Sequence, residues 1–230
     1  MYQAILFDLD GTLLDVEMEE FFKPYFALLT KKLAPYIEPS RLLQKLMEST
    51  QVMTDNLDPN RTNQEVFLEH FFRDLEYTPQ ELMPVFDEFY SHDFSTLSNY
   101  VAKIPGAREA VEAAFATGAR VVVATNPVFP VAAIRTRLKW AGVDDFPYAL
   151  ITSYEGMHFC KPHPEYYAEI ASILSLRPED CLMIGDDPER DLPAAEVGMA
   201  TFLVRGDGDV RARYHGDLFD VIELLRRMRK

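Results

Sequence analysis

The sequence predicts an α/β protein, a doubly wound parallel sheet with an inserted all-α segment. Three observations carry that expectation. The apolar run Ile5, Leu6 and Phe7 stands close to the N-terminus and ends on acids and a glycine, which reads as a buried strand. From Asp15 to about Ser98 no β-type run follows, only apolar residues at helical spacing. After Pro105-Gly106 short apolar runs alternate with helical patterns, the signature of parallel strands joined by crossover helices.

The elements follow in order. Val16 to Leu33 carries Phe21, Phe22, Tyr25, Phe26, Leu28, Leu29 and Leu33 close to a 3.6-residue period, and Pro35 and Pro39 punctuate its end. Ser40 is expected to cap the next helix, which holds Leu42, Leu43, Leu46 and Met47. Asp55 to Asn63 is turn-rich, and Val66, Phe67, Phe71, Phe72 and Leu75 resume the helical pattern. Thr78, with Pro79 and Glu81 behind it, signals another helix start. Beyond Ala107 the expected order is a helix over 108–117, a strand over 120–124, and a helix over 128–141. A strand over 148–152, a helix over 165–174 and a strand over 181–184 come next. A helix over 188–197, a strand over 201–204 and a helix over 218–228 complete it. Five buried strands with helices between them make the sheet doubly wound. The expected division is a core of residues 1–14 and 99–230 and a helical domain of residues 15–98.

The formal net charge of −14 disfavours nonspecific nucleic-acid binding and docking on anionic membranes, because the long-range field repels both. Residues 16–98 hold fifteen acidic and seven basic side chains, so the insertion is the more acidic part per residue. No apolar run approaches the ~20 residues of a membrane span. Cys160 and Cys181 lack a paired spacing and read as reduced thiols. A cytoplasmic protein is expected, with its oligomeric state left open.

Chemistry is expected where the strands end. Asp8 and Asp10 are two apart, which puts both on one side of an extended chain. Gly11 permits a sharp turn and Thr12 adds a hydroxyl and an amide. Thr125-Asn126 follows the run V-V-V-A, where a hydroxyl and amides could hold phosphate oxygens, or could be an ordinary turn. Lys161 lies in C-K-P-H-P between a strand and a helix. G-D-D-P-E-R-D places Asp186, Asp187 and Asp191 together, and such acids repel unless a cation sits among them. Asp187 before Pro188 also fits a helix cap, and Asp191 fits helix-dipole chemistry. His158 and His163 are assigned loop or capping roles.

The string D-L-D-G-T-L after an apolar run resembles the first motif of the haloacid dehalogenase-like (HAD) superfamily. Thr125, Lys161 and G-D-D resemble its next three motifs in their usual order. The helical insertion resembles that family's cap, and P-G-A at 105–107 is similar to capped members. The resemblance implies a phosphotransfer enzyme acting on a small phosphorylated metabolite. It implies Asp8 as the nucleophile that becomes an aspartyl-phosphate, and Asp10 as general acid and then base. Gly11, Thr12, Thr125, Asn126 and Lys161 would hold the phosphoryl group. Mg²⁺ would be bound by Asp8, the Asp10 carbonyl and Asp186, with Asp187 a possible further ligand, and Asp191 would support Lys161 or metal waters. Pro127, where many capped relatives carry a small residue, removes one amide from this loop. Dehalogenases of this fold do not need the second acid, so Asp10 favours a phosphatase. A sugar-phosphate mutase of the same superfamily keeps both acids, and a non-catalytic binding protein is the reading from another class. Substrate identity is not legible.

Overall fold

The computed structural model describes residues 1–205 and 209–228. Residues 206–208, 229 and 230 of the expected core lie outside this description. Six parallel strands form the main sheet. They are β1 (Ala4–Phe7), β4 (Arg120–Val123), β5 (Leu150–Ile151), β6 (Cys181–Gly185), β7 (Ala200–Val204) and β8 (Tyr214–Gly216), in the order β5-β4-β1-β6-β7-β8. The N-terminal strand therefore lies between β4 and β6, and chain order reverses on either side of it. In open α/β sheets that switch point is where ligands bind.

The sheet is covered on both faces. Ile5, Phe7, Val121, Val123, Leu182 and Ile184 point to one side, against α5 (Ala107–Ala116), α6 (Val131–Ala141) and α8 (Leu218–Met228). Ala4, Leu6, Val122 and Met183 point to the other, against Tyr166, Tyr167 and Ile170 of α7 (Pro164–Ile173). Alternate residues thus serve opposite apolar layers, which is why these strands read as unbroken hydrophobic runs.

Four helices occupy the insertion, α1 (Met18–Leu33), α2 (Pro39–Thr54), α3 (Asn63–Phe72) and α4 (Pro79–Ser91). Phe21, Tyr25, Leu29, Phe71, Phe86 and Phe89 from these helices join the apolar cluster that begins on the sheet. Thr62 starts α3 with a reciprocal capping box, and Glu81 returns to the Thr78 N–H at 2.7 Å at the start of α4. Two short strands, β2 (Leu14–Asp15) and β3 (Ala102–Lys103), pair antiparallel where the chain leaves and re-enters the sheet layer. A 3₁₀ segment, Asp93–Tyr100, crosses the expected border at 98/99.

Several expectations need correction. Glu38, not Ser40, caps α2, because its carboxylate accepts the Arg41 N–H at 3.0 Å while Pro39 sets the first helical φ. The strand expected over 148–152 is reduced to Leu150–Ile151, although ladder bonds from Ala149 N to Val121 O and from Thr152 N to Val123 O flank it. The helix expected over 188–197 is a turn followed by a 3₁₀ segment, Leu192–Val197. The Asp187 carboxylate takes the Glu189 and Arg190 amides, and Pro193 offers none. The sheet has a sixth strand, β8, that had not been anticipated. Among the described residues no helix is long and apolar enough to cross a membrane.

Candidate active site

Phe7 pairs level with Val123 and Ile184, so three adjacent strands release their next residues at one place. Asp8 is still tied to the ladder by its N–H to the Ile184 carbonyl at 2.9 Å. Its side chain meets Lys161, whose ammonium donates to Asp8 Oδ1 at 2.7 Å and to Asp191 Oδ1 at 2.6 Å. Lys161 is only 2% exposed, so this is a buried network rather than a solvated pair. The lysine loop is held from the neighbouring strand end, since the Lys161 N–H donates to Asn126 Oδ1 at 3.1 Å. Asp191 Oδ2 accepts the Asp187 N–H at 3.0 Å, and the Thr12 hydroxyl donates to Asp186 Oδ1 at 3.1 Å.

Two glycines make room for these acids. A Cβ on Gly11 would overlap the Asp186 carboxylate, and one on Gly185 would overlap the Asp191 carboxylate. Gly11 also has φ +88°, so both space and conformation exclude a side chain there.

Burial pushes the Asp8 carboxyl well above its usual range. Lys161 pulls it down, while Asp191, Asp10 and Asp186 push it further up. Burial and the nearby Asp191 lift Asp186 to about 6. For Lys161 burial works against the charge, but Asp191 and Asp8 outweigh it and hold the ammonium well above its usual range. One lysine thus faces several acids, and the excess negative charge suits a bound cation. Carboxylate oxygens of Asp8, Asp186 and Asp191 lie within 4.8 Å of one another. Both Asp191 oxygens already accept hydrogen bonds, whereas Asp8 and Asp186 each keep one oxygen outside the bonds named above. An all-oxygen donor set of this kind fits a hard divalent cation.

The family profile for haloacid dehalogenase-like hydrolases matches residues 2–198. The chain belongs to that family. Glyceraldehyde 3-phosphate phosphatase of Pyrococcus furiosus is 25% identical over 214 residues, covering 86% of this chain and 79% of that protein. Among solved structures, a HAD phosphatase from Thermococcus onnurineus superposes with TM-score 0.58 at 21% identity, over 97% of each chain. The L-2-haloacid dehalogenase of Xanthobacter autotrophicus, with chloropropionic acid covalently bound, superposes with TM-score 0.55 at 15% identity, over 98% of this chain and 99% of that one. At those identities the structures establish the shared fold.

Within this haloacid dehalogenase-like hydrolase the structure brings Asp8, Lys161, Asp186, Asp191, Thr12 and Asn126 together by the contacts given above. Some expected tasks change. The Gly11 N–H goes to the Leu14 carbonyl at 2.8 Å, so it serves the turn. Thr12 and Asn126 spend their side chains on Asp186 and on the lysine loop. The Thr125 carbonyl accepts from the hydroxyls of Thr152 at 2.7 Å and Tyr166 at 2.9 Å, which fixes the loop after β4. Asp187 stands outside the cation cluster and caps its own turn. Asp191 is inside it, more central than expected.

Arg137 of α6 was missed. It is 2% exposed, and Nη1 donates to Asp10 Oδ2. Its guanidinium lies over the Phe129 ring, 4.6 Å from the centroid. A signal existed, because Arg137 stands one turn after Ala133 and one before Ala141, on the buried stripe of α6.

Proposed function

We propose that this hydrolase is a Mg²⁺-dependent phosphatase, a phosphoric monoester hydrolase acting on a small phosphorylated metabolite through an aspartyl-phosphate on Asp8. One observation carries the reading. A buried carboxylate at a strand end faces a buried lysine at 2.7 Å, with a second acid two residues later in the chain. The family and the phosphatase named among its relatives support the same reaction class.

A carboxylate is a poor nucleophile toward a dianionic phosphate, because like charges repel. Lys161 offsets that repulsion and can stabilise the oxygens of the group in flight. Bound Mg²⁺, held by Asp8, Asp186 and the Asp10 carbonyl, would supply further neutralisation of the same charge. Asp8 displaces the leaving oxygen and keeps the phosphoryl group, which divides one hard displacement into two easier ones. Asp10 gives the leaving oxygen its proton and then takes a proton from the water that attacks phosphorus. The atom for this exchange is Oδ1. Arg137 holds Oδ2, whereas Oδ1 is buried with no hydrogen-bond partner. Two free, buried cysteines support a reducing, cytoplasmic setting.

A panel of phosphate monoesters with and without Mg²⁺ tests the reading. Phosphate release that needs the cation is expected. Isomer formation without free phosphate would favour a mutase, and no turnover despite bound Mg²⁺ would favour a binding protein.

A further inference from the structure

A cavity of about 330 Å³ lies between α1, α2, α3 and α4 and the loop that follows β4. Phe22, Phe26, Phe67, Phe72, Phe86 and Phe129 are among its walls. The volume falls within the range of small-molecule sites. A dry cavity of about 150 Å³ accommodates one benzene ring, so this space can take a fused aromatic pair.

Its chemistry is selective. Tyr25 and Tyr90 line it, and because their hydroxyls hydrogen-bond each other at 2.8 Å only one of the two O–H protons is left to anchor a polyol. The charged side chain on its wall, Asp87, is exposed and negative, which disfavours a second anionic group. The space is linked to the catalytic machinery through its wall. Phe129 forms wall on one side and carries the Arg137 guanidinium on its ring, and Arg137 grips Asp10. Two side chains, Phe129 and Arg137, therefore connect the cavity wall to the acid that would protonate a leaving oxygen. Asn126, three residues before Phe129 on the same loop, holds the Lys161 backbone.

We infer that this cavity receives the leaving group of the phosphate ester and that the leaving group is an aromatic alcohol. The inference deepens the phosphatase reading and rests on it. Steady-state hydrolysis of 1-naphthyl phosphate and of glycerol 3-phosphate, both with Mg²⁺, provides the test. The wild-type enzyme is expected to favour the naphthyl ester by about tenfold or more in kcat/KM; since an aryl oxygen also leaves more easily by itself, the part of that ratio lost when the cavity is filled reports burial of the rings. Thr50→Phe and Met83→Trp, which place bulk in the cavity, should each lower that ratio. Where a variant fails to fold, 1-naphthol serves instead and should inhibit glycerol 3-phosphate hydrolysis competitively in the wild type. Hydrolysis of both esters with a ratio near or below one, or no inhibition by 1-naphthol, overturns the inference and leaves the phosphatase standing. Release of phosphate from neither ester, while other monoesters are hydrolysed, overturns the inference alone; release from no monoester at all overturns both.

Discussion

Arg137 and Asp10 set the division of labour at the level of single atoms. The guanidinium fixes one carboxylate oxygen and leaves Oδ1 without a partner, and in the proposed mechanism Oδ1 exchanges the proton. In Asp10→Asn that exchange is lost. With p-nitrophenyl phosphate the leaving phenolate needs little help, so the first half-reaction should persist while water attack slows by roughly 10²–10⁴. Rapid mixing should show a burst of p-nitrophenol close to one equivalent of enzyme, followed by slow turnover. A wild-type steady-state rate would remove Asp10 from the mechanism. At this scale the sequence was legible where residue type and place coincide. Asp8, Lys161 and Asp186 each stand at a strand end or in a strand-to-helix loop, and topology gathers them. The hydrogen-bond assignments of Thr12 and Asn126 were not legible, because an oxygen in a loop can serve a ligand or a neighbouring amide equally well, whereas the capping by Asp187 was legible from Pro188 behind it. Arg137 is legible only from its place on the buried stripe of α6, because arginines are mostly exposed.

Elements with strong local signals formed where the sequence placed them. α8 spans Leu218–Met228 as expected, and α4 begins at Pro79 behind Thr78. At α3 the box is closed by Thr62 N–H to Glu65 Oε2 at 2.8 Å and Glu65 N–H to Thr62 Oγ1 at 3.2 Å. Thr62→Ala should therefore cost about 1 kcal/mol, read as a lower urea midpoint at unchanged slope. α3 also docks on the core, through Asn63 N–H to the Met157 carbonyl and Gln64 N–H to the Tyr154 carbonyl, both at 2.8 Å. Loss of the cap should thus be felt beyond the helix itself. The short strands escaped sequence reading for a plain reason. β2 and β3 have two residues each and β8 has three, too few for any alternation to show. The 3₁₀ segment after β6 follows a turn capped by Asp187, and Pro193 withholds the N–H that a continuous helix would need there.

For the whole molecule, the acids around Lys161 link folding to pH and to the cation. Asp186 sits at about 6 in the folded protein, above its ordinary carboxylate value. The folded state therefore holds that proton more tightly than the unfolded chain does. This contribution to stability is fully present below the unfolded value and is lost as pH rises through about 6. Mg²⁺ needs the carboxylate and should restore what deprotonation removes. The rise in Tm on adding Mg²⁺ should be several degrees near neutral pH and should shrink as pH falls through about 6. A rise that is the same on both sides of that value would show that Asp186 is not a ligand. A cation bound among these acids would let the site hold a dianionic ester in a chain of net charge −14, since the local field depends on the lysine and the cation and not on the total.

Asp8 is the proposed nucleophile toward phosphorus, and phosphate release by Asp8→Asn with saturating Mg²⁺ tests that role most directly. The amide cannot form the aspartyl-phosphate, so turnover should fall by at least about 10⁴-fold while the variant stays folded. Metal-dependent phosphate release at the wild-type rate would contradict it.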